Sequence, residues 1–262
     1  MTAIIDLNSD LGEAFGSWSM GNDLALLEIV TSVNIACGFH AGDARVMLAT
    51  SQAAAKRGAR IGAHVAYRDL AGFGRRRMDY AQEELTAETL YQIGALMACA
   101  KASGTEVTYV KPHGALYNRI AVDEEQAAAV VSAMKLAQTT GAMAGSAKEL
   151  AIMAQPGSVI EQISLAEGLP VIREAFADRA YNPDGTLVSR SQEGAVVTDA
   201  EEVVARVIAM AKGEPIKTID GSDLVVSADS ICLHGDTPGA VELSCKIRDG
   251  LIGAGVALRS HK

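Results

Sequence analysis

The sequence has few cysteines and no excess of positive charge. Its 262 residues include four cysteines, none of them in a Cys-x-x-Cys pair, which argues against a disulfide scaffold and favours a reducing compartment. Lys and Arg number 23 against 32 Asp and Glu, giving a net charge of −9. Because nucleic acids and anionic membranes are bound by clustered positive charge, this balance argues against both as partners.

Long apolar runs and several common motifs are also missing. No stretch approaches the roughly 18 consecutive apolar residues of a membrane-spanning helix, and no basic region precedes the first apolar residues, as it would in a signal peptide. We therefore expect a cytoplasmic protein. The sequence has no Gly-x-x-x-x-Gly-Lys-Ser/Thr loop, no Gly-x-Gly-x-x-Gly after a strand and no Gly-x-Ser-x-Gly. These absences argue against a P-loop, a dinucleotide fold and a serine-hydrolase elbow.

Short apolar runs alternate with stretches of helical period along the whole chain. This rhythm predicts repeated strand–helix units and a parallel sheet. The predicted strands are Ala3–Asn8, Ser32–Ala36, Arg60–His64, Val107–Lys111, Ala142–Gly145, Pro170–Glu174 and Ser230–His234.

The helices between these strands carry recognisable ends. Asp43 is placed to cap a helix that stops at Gly58, and a second helix runs from Thr86 to Gly104. Capping boxes predict two more helix starts, at Asp123 and Thr198, and Thr237-Pro238 predicts another. No linker interrupts the pattern, so residues 1–262 form one domain, with a β-hairpin excursion around 216–226 and a two-residue turn at Asp220-Gly221.

Polar side chains follow nearly every predicted strand, which favours a closed barrel over an open sheet. A barrel gathers all its strand carboxyl ends into one mouth, whereas an open sheet uses only the strands beside its switch point. The residues at these ends are Asn8, Asp10, Glu13, His40, Asp43, His64, Lys111, His113, Arg173, Glu174, His234 and Asp236.

Each of these residues also has a structural interpretation. Asp10 and Glu13 suit metal or acid/base chemistry, but also a capped turn. Asp43, near His40, suits a ligand or a helix cap, and His64 alone is more typical of a structural histidine.

Two further segments point to anions. Lys111-Pro112-His113 follows a strand in a tight turn, where a lysine stabilises developing negative charge. Gly72–Arg77 combines two glycines with three arginines and suits phosphate or carboxylate, although solvated arginines explain it equally well.

Seven blocks of this sequence together resemble the LamB/YcsF family, in family order and over nearly the whole chain. The resemblance implies a seven-stranded parallel β/α (TIM-like) barrel, similar to glycoside hydrolase and polysaccharide deacetylase barrels. The blocks are DLNSDLGEAFG (6–16), NIACGFHAGD (34–43), GAHVAYRDLAGFGRR (62–76), KPHGALYN (111–118), FADRAY (176–181), RSQ (190–192) and HGDTPG (234–239).

The resemblance also implies an activity. It is the ATP-dependent opening of the lactam ring of 5-oxo-L-proline to L-glutamate, with ATP and Mg²⁺ as cofactors, by a 5-oxoprolinase in which this chain acts with subunits B and C. Carried over by position, Asp10, His40, Lys111 and His113 are the catalytic candidates. The substrate-binding candidates are Glu13, Asp43, His64, Arg75, Arg76, Asp178, Arg179, Arg190, His234 and Asp236.

The sequence departs from the family pattern at three places. Ser9 stands where the family commonly has cysteine, so a thiol at this position is not required. Val65, Ala66 and Arg68 stand in a loop where the family commonly has proline, glycine and proline, which changes the stiffness of the loop. The stretch Ala147–Gly168 is longer than usual and predicts an extra or extended helix.

Two other functions remain open on sequence grounds. One is a metal-dependent amidase or deacetylase with Asp10, His40 and His64 as ligands, residue types that suit zinc or manganese. The other is a non-catalytic subunit that delivers 5-oxoproline to its partners. In the hydrolytic mechanism, Asp10, His40 or His113 positions water, and Lys111 with an arginine holds the oxyanion.

Overall fold

The computed structural model describes residues 2–139, 149–189, 191–233 and 239–261. It confirms the predicted single-domain α/β barrel, which seven parallel strands close when the last of them pairs with the first. The barrel strands are Ile4–Leu11 (β1), Ser32–Ala36 (β2), Arg60–His64 (β3), Val107–Val110 (β4), Ala151–Ala154 (β5), Val171–Phe176 (β6) and Ser230–Cys232 (β9).

Helices surround the barrel and bury one face each against it. The helices are Asp23–Leu27 (α1), Ala44–Arg57 (α2), Gln82–Ala102 (α3), Gly114–Ile120 (α4), Glu124–Thr139 (α5), Val159–Ala166 (α6), Ala200–Lys212 (α7) and Ala240–Gly253 (α8). A further short strand, Ala257–Leu258 (β10), pairs in parallel with Ile4 and Ile5 of β1 outside the barrel.

Helix ends follow the predicted chemistry at most of the described positions. The Asp43 carboxylate accepts hydrogen bonds from the first turn of α2, and Gly58 ends that helix with a φ of 67°. Asp123 accepts a hydrogen bond from the Gln126 amide at the start of α5. The cap of α7 is Asp199 rather than the predicted Thr198, and the predicted start at Thr237-Pro238 lies outside the described residues.

The fifth strand lies further along the chain than the sequence predicted. The predicted segment 142–145 is outside the described residues. The structure places β5 at Ala151–Ala154, fully buried and paired in parallel with β4 and β6, with Ala151 opposite Tyr109 and Ile152 opposite Val171. The extra or extended helix predicted within 147–168 was therefore wrong. That stretch holds β5 and the eight-residue α6, an ordinary strand–helix unit.

A small hairpin projects from the barrel where it was predicted. Ile216–Lys217 (β7) pairs antiparallel with Asp223–Leu224 (β8). The Thr218 amide donates to the Ser222 carbonyl, which leaves three residues in the loop instead of two. The Asp220 carboxylate accepts from both ends of this loop and so stabilises the longer turn.

Candidate active site

Strand carboxyl ends converge on one mouth of the barrel, as the sequence predicted. A cavity of about 520 Å³ opens there, a volume that suits a small metabolite. It is lined by Asp10, Glu13, His64, Arg75, Lys111, Pro112, His113, Gly114, Ala115, Tyr117, Asn118, Phe176, Arg179, Leu187, Val188 and Ser189.

Lys111 lies at the floor of this cavity and is held from several sides. Its Nζ is 2.8 Å from Asp10 Oδ1, 2.9 Å from Glu174 Oε1 and 3.2 Å from the Cys232 sulfur. Burial alone would lower the pKa of Lys111, but the surrounding Asp10, Cys232 and Glu174 raise it well above its usual value. Because an ammonium has three protons and three acceptors surround it, Lys111 is fixed rather than mobile.

Asp10 is the carboxylate that joins Lys111 to the histidines. Its Oδ1 accepts from the Lys111 ammonium and from the Asn34 amide at 2.8 Å, and its Oδ2 is 3.3 Å from His64 Nε2. Burial alone would raise the pKa of Asp10, but His64 and Lys111 hold it well below the usual range. Asp10 is therefore ionised at neutral pH and faces the cavity.

A column of polar side chains supports Asp10 from inside the barrel. Asn34 donates to Asn8 Oδ1 at 2.7 Å and accepts from the Tyr109 hydroxyl at 2.7 Å. Asn8 in turn donates to Ser230. Since side chains of a strand alternate between its two faces, Asn8 and Asp10 of β1 point to the same interior. The hydrogen bonds of this column fix the position of the catalytic candidate Asp10.

Gly62 makes room for one member of this column. A Cβ atom at this position would lie 2.1 Å from Cε2 of Tyr109, so any side chain would displace the tyrosine ring. Gly62 therefore allows the Tyr109 hydroxyl to reach Asn34 across the barrel.

Two histidines face each other beside Asp10. His64 Nδ1 is hydrogen-bonded to the Lys111 carbonyl oxygen at 2.8 Å, and His113 Nε2 is hydrogen-bonded to the Phe73 carbonyl oxygen at 2.9 Å. The remaining nitrogens, His64 Nε2 and His113 Nδ1, lie 2.9 Å apart. Burial, followed by the neighbouring His40 and His64, lowers the pKa of His113 well below its usual value.

His40 and Glu13 complete this group. His40 Nε2 lies 3.2 Å from Glu13 Oε1, while the buried His40 Nδ1 has no hydrogen-bond partner. Burial, followed by the neighbouring His64, lowers the pKa of His40 well below its usual value. The ligand atoms of Glu13, His40, His64 and His113 all lie within 4.8 Å of one another, so within the described part of the chain these four residues form a group that could hold a metal ion.

The loop after β3 is shaped to reach His113. Phe73 has a φ of 54°, a left-handed conformation that is unfavourable for a bulky residue, and it directs its carbonyl to His113. A Cβ at Gly74 would lie 2.8 Å from His40 Cβ and 2.9 Å from His113 Cδ2. Gly74 is therefore explained by close packing on the histidines, whereas a Cβ at Gly72 would meet the Asp69 carboxylate and Arg76 Nε.

The arginines of this loop have different surroundings. Arg75 lines the cavity, with its guanidinium 5.1 Å from the centre of the Phe73 ring. Arg76 forms an ion pair with Asp69, its Nε lying 2.9 Å from Oδ1, and Arg77 approaches Asp79. The predicted substrate residue Arg76 is thus not among the residues that line the cavity, and its ion pair holds the loop.

The other predicted residues fall into three groups. Arg179 lines the cavity, and its guanidinium donates to the carbonyls of Val188 and Ala195. Asp43 caps α2 and also accepts from the Gly16 amide at 2.8 Å, and neither it nor Asp178 lines the cavity. Arg190, His234 and Asp236 lie outside the described residues.

Glu174 was noted among the strand-end residues but was not assigned to the catalytic or substrate-binding candidates. It is a fully buried carboxylate in β6, next to Lys111 and close to the Tyr117 hydroxyl. One signal could have identified Glu174 as a functional residue. It is the single acid of its strand, and the last residues of that strand are all buried. Cys232 was also missed because a lone cysteine in an apolar strand has no distinguishing pattern.

The chain matches the model of the LamB/YcsF family over residues 5–262. It belongs to this family. The chain is 54% identical over 255 residues to the 5-oxoprolinase A subunit of Paracidovorax citrulli, covering 97% of this chain and 98% of the relative. It is 56% identical over 255 residues to the protein of the same name from Corynebacterium efficiens, covering 97% and 96% of the two chains.

A solved structure agrees with the assignment of this chain to the LamB/YcsF family. The lactam utilization protein from Thermus thermophilus superposes with a TM-score of 0.91 at 39% identity, covering 98% of this chain and all of that one. The predicted barrel and family are both confirmed. Among the described residues, no helix combines the length and apolar character needed to cross a membrane.

Proposed function

We propose that this chain opens the lactam ring of 5-oxo-L-proline to give L-glutamate, within an ATP-dependent 5-oxoprolinase that also contains subunits B and C. The names of its relatives support this function. The observation that carries it is the ionised Asp10, which faces the cavity between Lys111 and His64.

The reaction needs water to be placed and deprotonated beside a carbonyl carbon. Asp10 is the base best suited to this task because its carboxylate lines the cavity and is held by Lys111 and Asn34. Water adds its oxygen to the activated lactam carbon and gives a proton to Asp10, and the ring C–N bond breaks as the nitrogen takes up a proton. A second water then releases the phosphoryl group from the resulting carboxyl phosphate as inorganic phosphate, which leaves glutamate. Of the other two candidates, His40 does not line the cavity, and both ring nitrogens of His113 are engaged, with the Phe73 carbonyl and with His64.

The positively charged side chains of the cavity have different roles in binding anions. Lys111 is surrounded by three acceptors and holds Asp10, rather than serving as the first contact of the substrate. Arg75 is exposed and lines the cavity, so it is the group we assign to the substrate carboxylate or the developing oxyanion.

ATP, with Mg²⁺, supplies the phosphoryl group that activates the amide oxygen, and we place its binding on the partner subunits. A triphosphate needs several unpaired cations or a glycine-rich amide nest. In the Gly72–Arg77 loop, Arg76 is paired with Asp69 and Arg77 lies near Asp79, so these two arginines are already engaged with carboxylates of this chain.

The test is Asp10→Asn in the complex reconstituted with subunits B and C. Glutamate release should fall by at least about a hundredfold, while assembly and folding persist because asparagine keeps the acceptor for Lys111. Asp199→Asn, which changes a distant helix cap, should leave the rate unchanged. A near-normal rate with Asp10→Asn would refute the role of Asp10, and glutamate release by subunits B and C alone would favour a carrier function.

A metal-dependent amidase is the second candidate, because the four-residue cluster around Glu13 could hold an ion. The isolated chain, loaded with Zn²⁺ and given 5-oxoproline without ATP, separates the two functions. Glutamate formation under these conditions would favour the amidase, and its absence would favour the ATP-dependent reaction.

A further inference from the structure

The facing nitrogens of His64 and His113 require a positive centre between them. Each ring uses its other nitrogen on a main-chain carbonyl, which can only accept a hydrogen bond. In the neutral rings, His64 Nε2 and His113 Nδ1 therefore both carry lone pairs, and these atoms lie 2.9 Å apart. Two lone pairs at this distance repel, so a cation or a shared proton must lie between them.

Glu13 adds a negative ligand at the same point. Its Oε1 lies 3.6 Å from His113 Nδ1 and 3.9 Å from His64 Nε2. Ligands of a tetrahedral zinc ion are about 2.0 Å from the metal and hence about 3.3 Å from one another. The three distances between these atoms, 2.9, 3.6 and 3.9 Å, are close to that spacing.

We propose that Glu13, His64 and His113 bind a divalent transition-metal ion, with zinc as the best match. Two imidazoles and one carboxylate are a common ligand set for such ions. The carbonyls of Lys111 and Phe73 fix the tautomer and orientation of the two rings, as outer-shell groups do in metal sites. All three ligand residues line the cavity, so an ion here has open coordination positions toward a substrate.

His40 is a positioning residue in this site rather than a ligand. Its ring is parallel to that of His113 within 9°, with centroids 3.9 Å apart. The lone pair of an imidazole nitrogen lies in the plane of its ring. An ion bound in the plane of His113 therefore lies well outside the plane of His40, and no lone pair of His40 points toward it. His40 Nε2 instead donates to Glu13 Oε1 and orients this carboxylate, and the unpartnered Nδ1 is the remaining acceptor nitrogen.

The ligand set differs from the one that residue types alone suggested. Asp10 and His40 were metal candidates with His64, whereas the geometry selects Glu13 and His113. Asp10 Oδ2 lies 3.3 Å from His64 Nε2 and borders the site, but its other oxygen is committed to Lys111 and Asn34. The proposal does not depend on 5-oxoproline or ATP.

The first test uses the untagged, full-length wild-type chain after treatment with a chelator. Calorimetric titration with Zn²⁺ should show one ion bound per chain, and Co²⁺ should give the visible absorption of a low-symmetry site with nitrogen ligands. No substrate is present, so a failure here is separate from a failure of the proposed reaction. If the folded, metal-free chain takes up neither ion at micromolar concentrations, a proton lies between the histidines and the proposal is overturned.

The second test compares variants of similar size. Glu13→Gln and His64→Gln should each weaken Zn²⁺ binding by about a hundredfold or more, and His40→Gln by about ten- to a hundredfold. His261→Gln is the matched control, because His261 is distant in sequence and is not part of the cluster. Thermal unfolding identifies the variants that fold, and equal Zn²⁺ affinity in folded Glu13→Gln and His261→Gln would contradict the site.

Discussion

Lys111 and Glu174 form a buried ion pair that joins the end of β4 to β6 across the interior of the barrel. Their charged atoms lie 2.9 Å apart, with the lysine side chain 3% exposed and the glutamate side chain fully buried. A buried charge is tolerated only when it is paired, and Asp10 is the second carboxylate on the same ammonium. The stability of the barrel therefore depends on this lysine, which also acts with His64 to hold the pKa of Asp10 below its usual range.

Lys111→Met should destabilise the fold as well as abolish ring opening. Loss of the ammonium leaves Glu174 and Asp10 without their cation, and removing one partner of a buried pair costs about 3–5 kcal/mol. The free energy of unfolding in urea measures this cost. Lys111→Met/Glu174→Gln should recover part of the stability without the activity, and an unchanged stability in Lys111→Met would show that the pair is not needed.

Gly74→Ala should lower the free energy of unfolding more than the same change at Gly157. Both glycines have positive φ, 63° and 77°, so an alanine at either costs about 1–2 kcal/mol of backbone strain. A Cβ at Gly157 meets nothing within 4 Å, whereas at Gly74 it meets His40 and His113, which adds about 1–3 kcal/mol of overpacking. Urea unfolding of the two variants checks the difference, and equal losses would contradict the close packing.

Tyr109→Phe should cost about 1–3 kcal/mol of unfolding free energy. The hydroxyl donates to Asn34 Oδ1 at 2.7 Å, and its removal leaves a buried amide oxygen with one fewer partner. Because Asn34 also donates to Asp10, the activity of the complex should fall as well. Tyr91→Phe, at a residue that is 66% exposed, is the control and should change neither quantity.

The cap of α2 should contribute to acid sensitivity. Hydrogen bonds from the amides of Val46 and Gly16 lower the pKa of Asp43 below its usual value of 3.8. A lowered pKa in the folded state stabilises the protein above the unfolded value, and this contribution is lost as the pH falls through the folded value. Asp43→Asn keeps a capping oxygen but does not titrate at this position.

The stability difference between wild type and Asp43→Asn should thus be constant above about pH 5 and shrink below it. Urea midpoints measured from pH 7 down to pH 3 check this expectation. Parallel acid dependence in the two proteins would show that Asp43 does not titrate differently in the folded state.

Strands whose boundaries are marked by the adjacent residues could be predicted from the sequence, and the other strands could not. The boundaries of β2 and β3 match the predicted ones because each is a short buried run between polar or glycine-containing turns. The fifth strand was assigned to 142–145 instead of Ala151–Ala154 because both are short apolar segments. Only pairing with the neighbouring strands identifies the true one.

The candidate site shows the same difference between features set by adjacent residues and features set by residues distant in sequence. The sequence placed Asp10, His64, Lys111 and His113 at one mouth because strand ends in a parallel barrel coincide, and all four line one cavity. It assigned Lys111 to the developing oxyanion, since the partner Glu174 becomes its neighbour only after the barrel has closed.

The closure of the barrel has a consequence for the time course of folding. β1 pairs with β9, and Asn8 bonds Ser230 across 222 positions of sequence. During synthesis, β1 therefore lacks one edge partner until nearly nine-tenths of the chain has been made. Contacts so distant in sequence carry a large loop-closure entropy and make folding slow. The bonds of Asn34 to Asn8 and Asp10 need only β1 and β2, whereas the bond from Asn8 to Ser230, which completes the active-site column, can form only after β9 has been made.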